Sequence, residues 1–221
     1  MKHPAHYITF NSIIDDPTWG DERGFTLIKD VTDIASDKQN TGETAAAPKY
    51  TEVATAVNNH VYMVKMLVHN SSADRLKLIS NNTRAMVSMP TASNTDSAMI
   101  QGIVASDNCN ADNNGNKGST CAVWDEAYLR ADGKSFKVAY IAGSGRYYNS
   151  VRDFKTNGFT LPDSMASKDG AQLGYQAMDG KLQGCFQYSG YVTFLIKVTE
   201  EQPKFRSEEH TSELQSRVSI S

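Results

Sequence analysis

The sequence predicts an all-β protein, an antiparallel β-sandwich with long loops, and three observations predict it. Between Gly184 and Glu200, one parity reads Phe186, Tyr188, Gly190, Val192, Phe194, Ile196 and Val198, and the other Gln187, Ser189, Tyr191, Thr193, Leu195 and Lys197. This period of two, rich in aromatic and β-branched residues, is that of a half-buried strand, with Gly190 expected at a bulge or bend. Shorter alternating runs, each bounded by Asn, Ser, Pro or Gly, recur at the spacing of a sandwich. No segment carries the 3.6-residue period of an amphipathic helix of ordinary length, and no internal repeat is present.

The elements follow in order. Tyr7 to Ile14 reads as a first strand, and Asp15 to Gly24 as a charged loop of turn formers. Phe25 to Lys29 is a second strand candidate, and Asp33 to Lys49 a polar surface excursion. Val61 to His69 alternates clearly, with Tyr62, Val64, Met66 and Val68 on one face. After the turn at Asn70 to Asp74 come short strands at Leu76 to Ile79, Thr83 to Met89 and Ala98 to Ala105. Ser106 to Thr120 is rich in Asn, Asp and Gly and reads as a projecting loop. Val123 to Leu129, Ser135 to Ile141 and Gly145 to Asn149 return to strand character, with a tight turn expected at Asp132-Gly133-Lys134. A loop-rich passage and a short run at Leu173 to Tyr175 lead into the long final strand.

A chain of 221 residues is long enough for a core of ordinary size. The net charge of −3 gives no basic footprint, so nucleic acid is set aside as a partner. No run approaches the roughly 18 apolar residues of a membrane-crossing helix, and the N-terminus leads into no apolar export core. On these grounds the chain is either cytosolic or begins downstream of its natural start.

Several segments, in order, carry a resemblance: Phe10-Asn11-Ser12-Ile13, Gly20-Asp21-Glu22-Arg23, Val123-Trp124-Asp125, Leu161-Pro162-Asp163-Ser164, Leu173-Gly174-Tyr175, and Gly184-Cys185-Phe186-Gln187-Tyr188 with Gly190-Tyr191-Val192-Thr193-Phe194. Together they resemble a family of uncharacterised, secreted or surface-attached bacterial domains, over nearly all of residues 3–198. The middle, Tyr62 to Pro90, is similar to the Ig-like repeats of bacterial surface stalks, which makes the expected sandwich Ig-like. The resemblance implies an extracellular or cell-surface location and supplies no catalytic residues. Arg206 to Ser216 resembles the translation of a sequencing adapter. The expected organisation is therefore one sandwich domain over residues 1–205, truncated at both ends, and a non-native, disordered tail over 206–221.

Cys109 and Cys121 flank the Asn/Gly-rich loop; they would pair in an exported protein and stay free in a cytosolic one, and the resemblance favours the disulfide. Cys185 is then left over and is expected to be a buried small residue. Asn110, Asp112 and Asn114 followed by Gly115 echo the front of a calcium loop, but Cys121 stands where a bidentate Glu would close it, so a plain turn-rich loop is the preferred reading. Asp15, Asp16, Asp21 and Glu22 gather four carboxylates beside Trp19, the materials of a sugar-binding or glycosidase site. The competing reading makes Asp16-Pro17 a turn, pairs Asp21 or Glu22 with Arg23, and packs Trp19 on the sandwich edge. His60 and His69 are expected at strand ends.

The leading functional expectation is a non-catalytic structural or adhesive module at the cell surface, with no cofactor and no membrane insertion, meeting a glycan, a protein or further copies of itself. A carbohydrate-binding module or glycan hydrolase using Trp19 and the acidic loop is the first alternative. A filament subunit assembled by pairing of the terminal strand is the second.

Overall fold

The computed structural model describes residues 1–34 and 49–201, and within them the chain is almost entirely β. Twelve strands follow in order: β1 (Thr26–Asp30), β2 (Val53–Thr55), β3 (Val61–Val68), β4 (Ile79–Ser80), β5 (Arg84–Ser88), β6 (Asn94–Cys109), β7 (Ser119–Tyr140), β8 (Arg146–Asn149), β9 (Phe159–Thr160), β10 (Ala171–Gln172), β11 (Leu182–Gln183) and β12 (Gly190–Glu200). The principal sheet runs β1-β3-β12-β7-β6-β5-β10, with β8 on β12, β9 on β8, and β4 paired separately with β11. All pairings are antiparallel except β2 with β7, which is parallel.

Two long strands shape the sandwich. Residues 119–130 of β7 pair with β6, while Phe136 to Tyr140 pair with β12. One strand thus serves both layers, as strands do where a sheet turns a corner. The corner is an irregularity: Ser135 faces Thr95 and Arg130 faces Ser97, so several extra residues of β7 lie opposite Asp96. Gly133 adopts φ +69°, and its N–H donates to the Asp96 carboxylate at 3.0 Å. The turn expected at Asp132-Gly133-Lys134 is therefore a bulge inside a strand. Glycine supplies the positive φ in either case, but here the chain continues.

The core lies where this corner folds the sheet onto itself. Ala98, Ile100 and Val104 of β6 and Ala127 and Leu129 of β7 join Ile28, Val64, Met66, Phe194 and Ile196 in one buried cluster. Gly102 lets the layers close, since a side chain there would run into Met66 at 3.0 Å and into Thr26. Burying each large apolar side chain contributes roughly 1.5–3 kcal/mol, so this cluster dominates the stability.

β12 sits inside the sheet. β3 pairs with it from Gly190 to Lys197 on one side, and β8 and β7 pair with it on the other. Both of its faces are covered around Val192 to Ile196, because Leu195 joins Val31, Ile34 and Met63 in a second small cluster. The expected half-buried strand is thus buried on both faces in its middle. It is also shorter than expected, since Phe186–Tyr188 forms a 3-10 turn. Gly190 opens the strand without a bulge, in close contact with the Tyr147 ring and the Tyr148 carbonyl.

Two other expectations change. Tyr7 to Ile14 is an irregular segment stitched down by single bridges, Tyr7 to Asp112 and Phe10 to Asn70, although Ile8 and Phe10 are buried. The loop expected over Ser106 to Thr120 is shorter at both ends: β6 runs to Cys109, β7 starts at Ser119, and 110–118 form the loop. Most of the Asp33 to Lys49 excursion and the 206–221 tail lie outside the described residues. Among the described residues no helix is long and apolar enough to cross a membrane.

Candidate functional site

The acidic segment is held by its own polar groups. Oδ1 of Asp16 accepts from the N–H groups of Thr18 and Trp19 at 2.8 and 2.7 Å, and Asp16 and Gly20 bridge to close a small turn. Asp21 points outward and pairs with Arg23 at 2.6 Å, and this hydrogen-bonded guanidinium holds its carboxyl down at about 2. Asp15 is exposed. Glu22 turns inward and is fully buried: one carboxylate oxygen accepts from Nδ1 of His69 at 2.6 Å, and the other accepts from Ile13 N–H at 3.1 Å and Ser71 Oγ at 3.3 Å. The carboxylates therefore serve separate sets of partners. His69, expected at an open strand end, is 3% exposed.

Trp19 packs on the outer side of β12. Its ring stacks on Tyr191 with centroids 5.6 Å apart, and Nε1 donates to the Gly24 carbonyl at 3.1 Å. The Lys65 ammonium lies 4.1 Å from the Tyr191 centroid and 5.6 Å from that of Trp19. One face of the indole is thus covered and its polar edge is used.

Cys109 and Cys121 form a disulfide that ties β6 to β7 below the hairpin loop. In that loop Asp112 Oδ1 accepts from the N–H groups of Asn114 and Asn116 at 2.8 and 3.1 Å, Asn116 Nδ2 donates to the Asn110 carbonyl, and the Asn110 N–H donates to Ile8. These bonds make a self-contained turn that docks on the N-terminal segment. Among the described residues no group of three His, Cys, Asp or Glu side chains is placed to hold a metal.

The sheet brings forward a surface that residue-type clustering had not singled out. Facing pairs in an antiparallel ladder share a face, so the outer side of β5, β6 and β7 reads in rows. Ile103 lies between Trp124 and Met86, Gln101 between Glu126 and Ser88, and Met99 beside Tyr128. β2 extends the last row with Val53. Trp124 is 61% exposed, and Met99 and Val53 are each 42% exposed. Two apolar rows thus flank a polar one, in which Gln101 Nε2 donates to Glu126 at 3.2 Å.

The alternation around Trp124 explains its neighbours. Asp125 points the other way, and its Oδ2 accepts the Thr26 N–H at 2.6 Å, fastening the start of β1 to β7. Burial, reinforced by neighbouring Glu126, pushes the Asp125 carboxyl above its ordinary range. The signal for Trp124 was available in the sequence: Trp124, Glu126 and Tyr128 share the parity opposite buried Ala127 and Leu129.

Comparison of the chain with family models, with curated proteins and with solved structures gives no match.

Proposed function

We propose that the protein is a non-catalytic adhesive module of the cell surface, which engages its partner through the outer face of β6 and β7. The observation that carries the reading is the exposure of Trp124, Met99 and Val53 in apolar rows on a regularly paired sheet. Exposed apolar groups aligned in this way mark interaction surfaces. The Cys109–Cys121 disulfide supports an oxidising compartment, and bracing this hairpin keeps the face rigid. β12 is paired on both sides over most of its length, so contact between copies would use this face in preference to the terminal strand.

A second reading, glycan binding, is favoured by one feature of the same face. Trp124 offers an open ring beside the Gln101–Glu126 pair, which supplies both a donor and acceptors for hydroxyl groups. It moves the sugar platform from Trp19 to Trp124.

The test is binding of labelled protein to a glycan array and to surface-protein preparations, with Trp124→Ala and Trp19→Ala compared. Loss of binding in Trp124→Ala with a preserved melting curve supports the proposal. Equal binding by Trp124→Ala and the parent sinks it, and the class of surface bound distinguishes the two readings.

A further inference from the structure

Facing residues of an antiparallel ladder share a face, and Tyr148 of β8 stands opposite Tyr191 of β12. Two short 3-10 turns bring further rings to this pair. At Phe154–Thr156, Oδ1 of Asp153 accepts from the N–H groups of Lys155 and Thr156 at 3.0 and 3.2 Å, and the Phe154 ring stacks on Tyr148 with centroids 4.3 Å apart. At Phe186–Tyr188, the Ser189 hydroxyl donates to the Phe186 carbonyl at 2.6 Å. Cys185, the free cysteine, is partly exposed where a buried residue was expected, and it leads the chain into this turn at φ +135°.

Both turns line a pocket of about 260 Å³, whose wall holds Tyr148, Phe154, Phe186 and Tyr191, with Asp153 its one charged group among the described residues. Phe186 is 40% exposed, and Val151, which lies in the chain between the lining residues Ser150 and Asp153, is 44% exposed. The rim is therefore apolar and open to a ligand. Drug-sized ligands occupy about 300–1,000 Å³, so a pocket of this size suits a headgroup.

Most polar groups of the wall are already engaged. The Asn149 side chain donates to the Tyr175 carbonyl and accepts from the N–H groups of Val151 and Arg152, and Ser150 Oγ bonds the Tyr175 hydroxyl and the Gln187 carbonyl. Asp153 keeps its second oxygen without a partner, and none of the ion pairs among the described residues includes it. The neighbouring Arg152 guanidinium lies 4.7 Å over the ring of Phe159, which is no part of the wall. A primary ammonium would bring three donors that need acceptors, and leaving donors unpaired is costly. A trimethylammonium group carries the same charge on an apolar surface with no donor, and aromatic rings beside a carboxylate are what it requires. The Tyr191 ring already attracts Lys65 at 4.1 Å, so the attraction rests on Phe154, Phe186 and Asp153.

We propose that this pocket binds a quaternary ammonium group, the trimethylammonium end of a choline-like ligand. None of its wall belongs to the β6–β7 face, so its test is independent of the adhesive reading.

The experiment follows the backbone amide resonances of the isotope-labelled full chain during titration with choline chloride at constant ionic strength. Saturating shifts centred on residues 148–154 and 186–191 are expected, with choline bound at least ~5-fold more tightly than its uncharged tert-butyl analogue. Asp153→Asn keeps the cap of its turn, since Asn caps as well as Asp, and should weaken choline binding at least ~5-fold while leaving the uncharged analogue unchanged. Phe186→Ala should weaken both ligands. Phosphocholine, titrated in parallel, identifies the source: tighter binding than choline assigns an esterified headgroup and weaker binding the free amino alcohol, and either order upholds the site. Shifts that never saturate overturn the proposal, as does an uncharged analogue that binds as tightly as choline or an Asp153→Asn variant that binds choline like the parent.

Discussion

Oε1 of Glu22 lies 2.6 Å from Nδ1 of His69, with both side chains shut away from water and 47 residues apart in the chain. The pair joins the N-terminal segment to the end of β3, since the same carboxylate also receives Ile13 N–H and Ser71 Oγ. Removing one partner leaves the others buried and unpaired. Glu22→Ala is expected to cost about 3–5 kcal/mol in urea denaturation. Glu22→Gln should cost less, because its amide oxygen still accepts, and the cost that remains arises where its NH₂ faces a donor. A loss below about 1 kcal/mol in the alanine variant would refute this view of the contact.

The disulfide should contribute strongly for its short span. Cys109 and Cys121 are 12 residues apart, and closing a loop of that size restricts the unfolded chain by about 3 kcal/mol. The double variant Cys109→Ser with Cys121→Ser should therefore unfold at lower urea and become insensitive to reductant. An unchanged midpoint would show that the hairpin bonds alone hold the loop.

Tyr62 is one of several tyrosines whose burial raises the hydroxyl and weakens the fold at alkaline pH. It donates to the Thr55 carbonyl at 2.7 Å and accepts from Val57 N–H at 2.9 Å. Burial, with help from nearby Asp30, pushes its hydroxyl from 10.0 up to about 12. Because the folded value is raised, this stabilising contribution is complete below pH 10 and is lost as pH climbs towards 12. Tyr62→Phe should flatten the fall in stability over that interval, at a cost of about 1 kcal/mol near neutrality from the lost hydrogen bonds. Denaturation midpoints measured across that range for both proteins give the answer. Parallel curves would count against it.

The two tryptophans should separate cleanly. Trp19 is stacked on Tyr191 and tied to Gly24, so Trp19→Ala should cost about 2–4 kcal/mol. Trp124 is mostly exposed, so Trp124→Ala should stay within about 0.5 kcal/mol of the parent. Thermal melts of the two variants provide the comparison, and a Trp124→Ala variant as unstable as Trp19→Ala would mean that the β6–β7 face is structural.

The strands were legible where local pattern decides burial. The end of β12 follows its alternation, with Val198 buried between exposed Lys197 and Thr199, while in β3 the expected face of Tyr62, Val64, Met66 and Val68 is buried and Met63 and Leu67 of the other parity are buried too. Tyr191, Thr193 and Leu195 read as an outer face, yet distant residues such as Trp19, Val31 and Ile34 cover that side. Such partners carry no local signature. The same limit hid the Glu22–His69 pair, while Arg23, adjacent to Glu22 in sequence, found Asp21 instead. Composition placed the loop within Ser106 to Thr120 but set its ends too wide, since Asn and Gly mark a loop tip and do not reveal how far the flanking strands run. Gly133 signalled its positive φ correctly, and only the pairing of both sides with β6 distinguishes a bulge from a reversal.

Cys185 offers a direct test of whether its backbone is held against a preference. At φ +135° the β-carbon of any side chain is brought against the carbonyl of the preceding residue, at a cost of order 1–3 kcal/mol, and glycine is the residue that escapes it. Cys185→Ala removes the sulfur and retains the conflict, whereas Cys185→Gly removes both. The glycine variant should therefore be more stable than the alanine variant by about 1 kcal/mol, even though glycine gains more freedom on unfolding. Equal stabilities, or a more stable alanine variant, would show that the position is relaxed with a β-carbon.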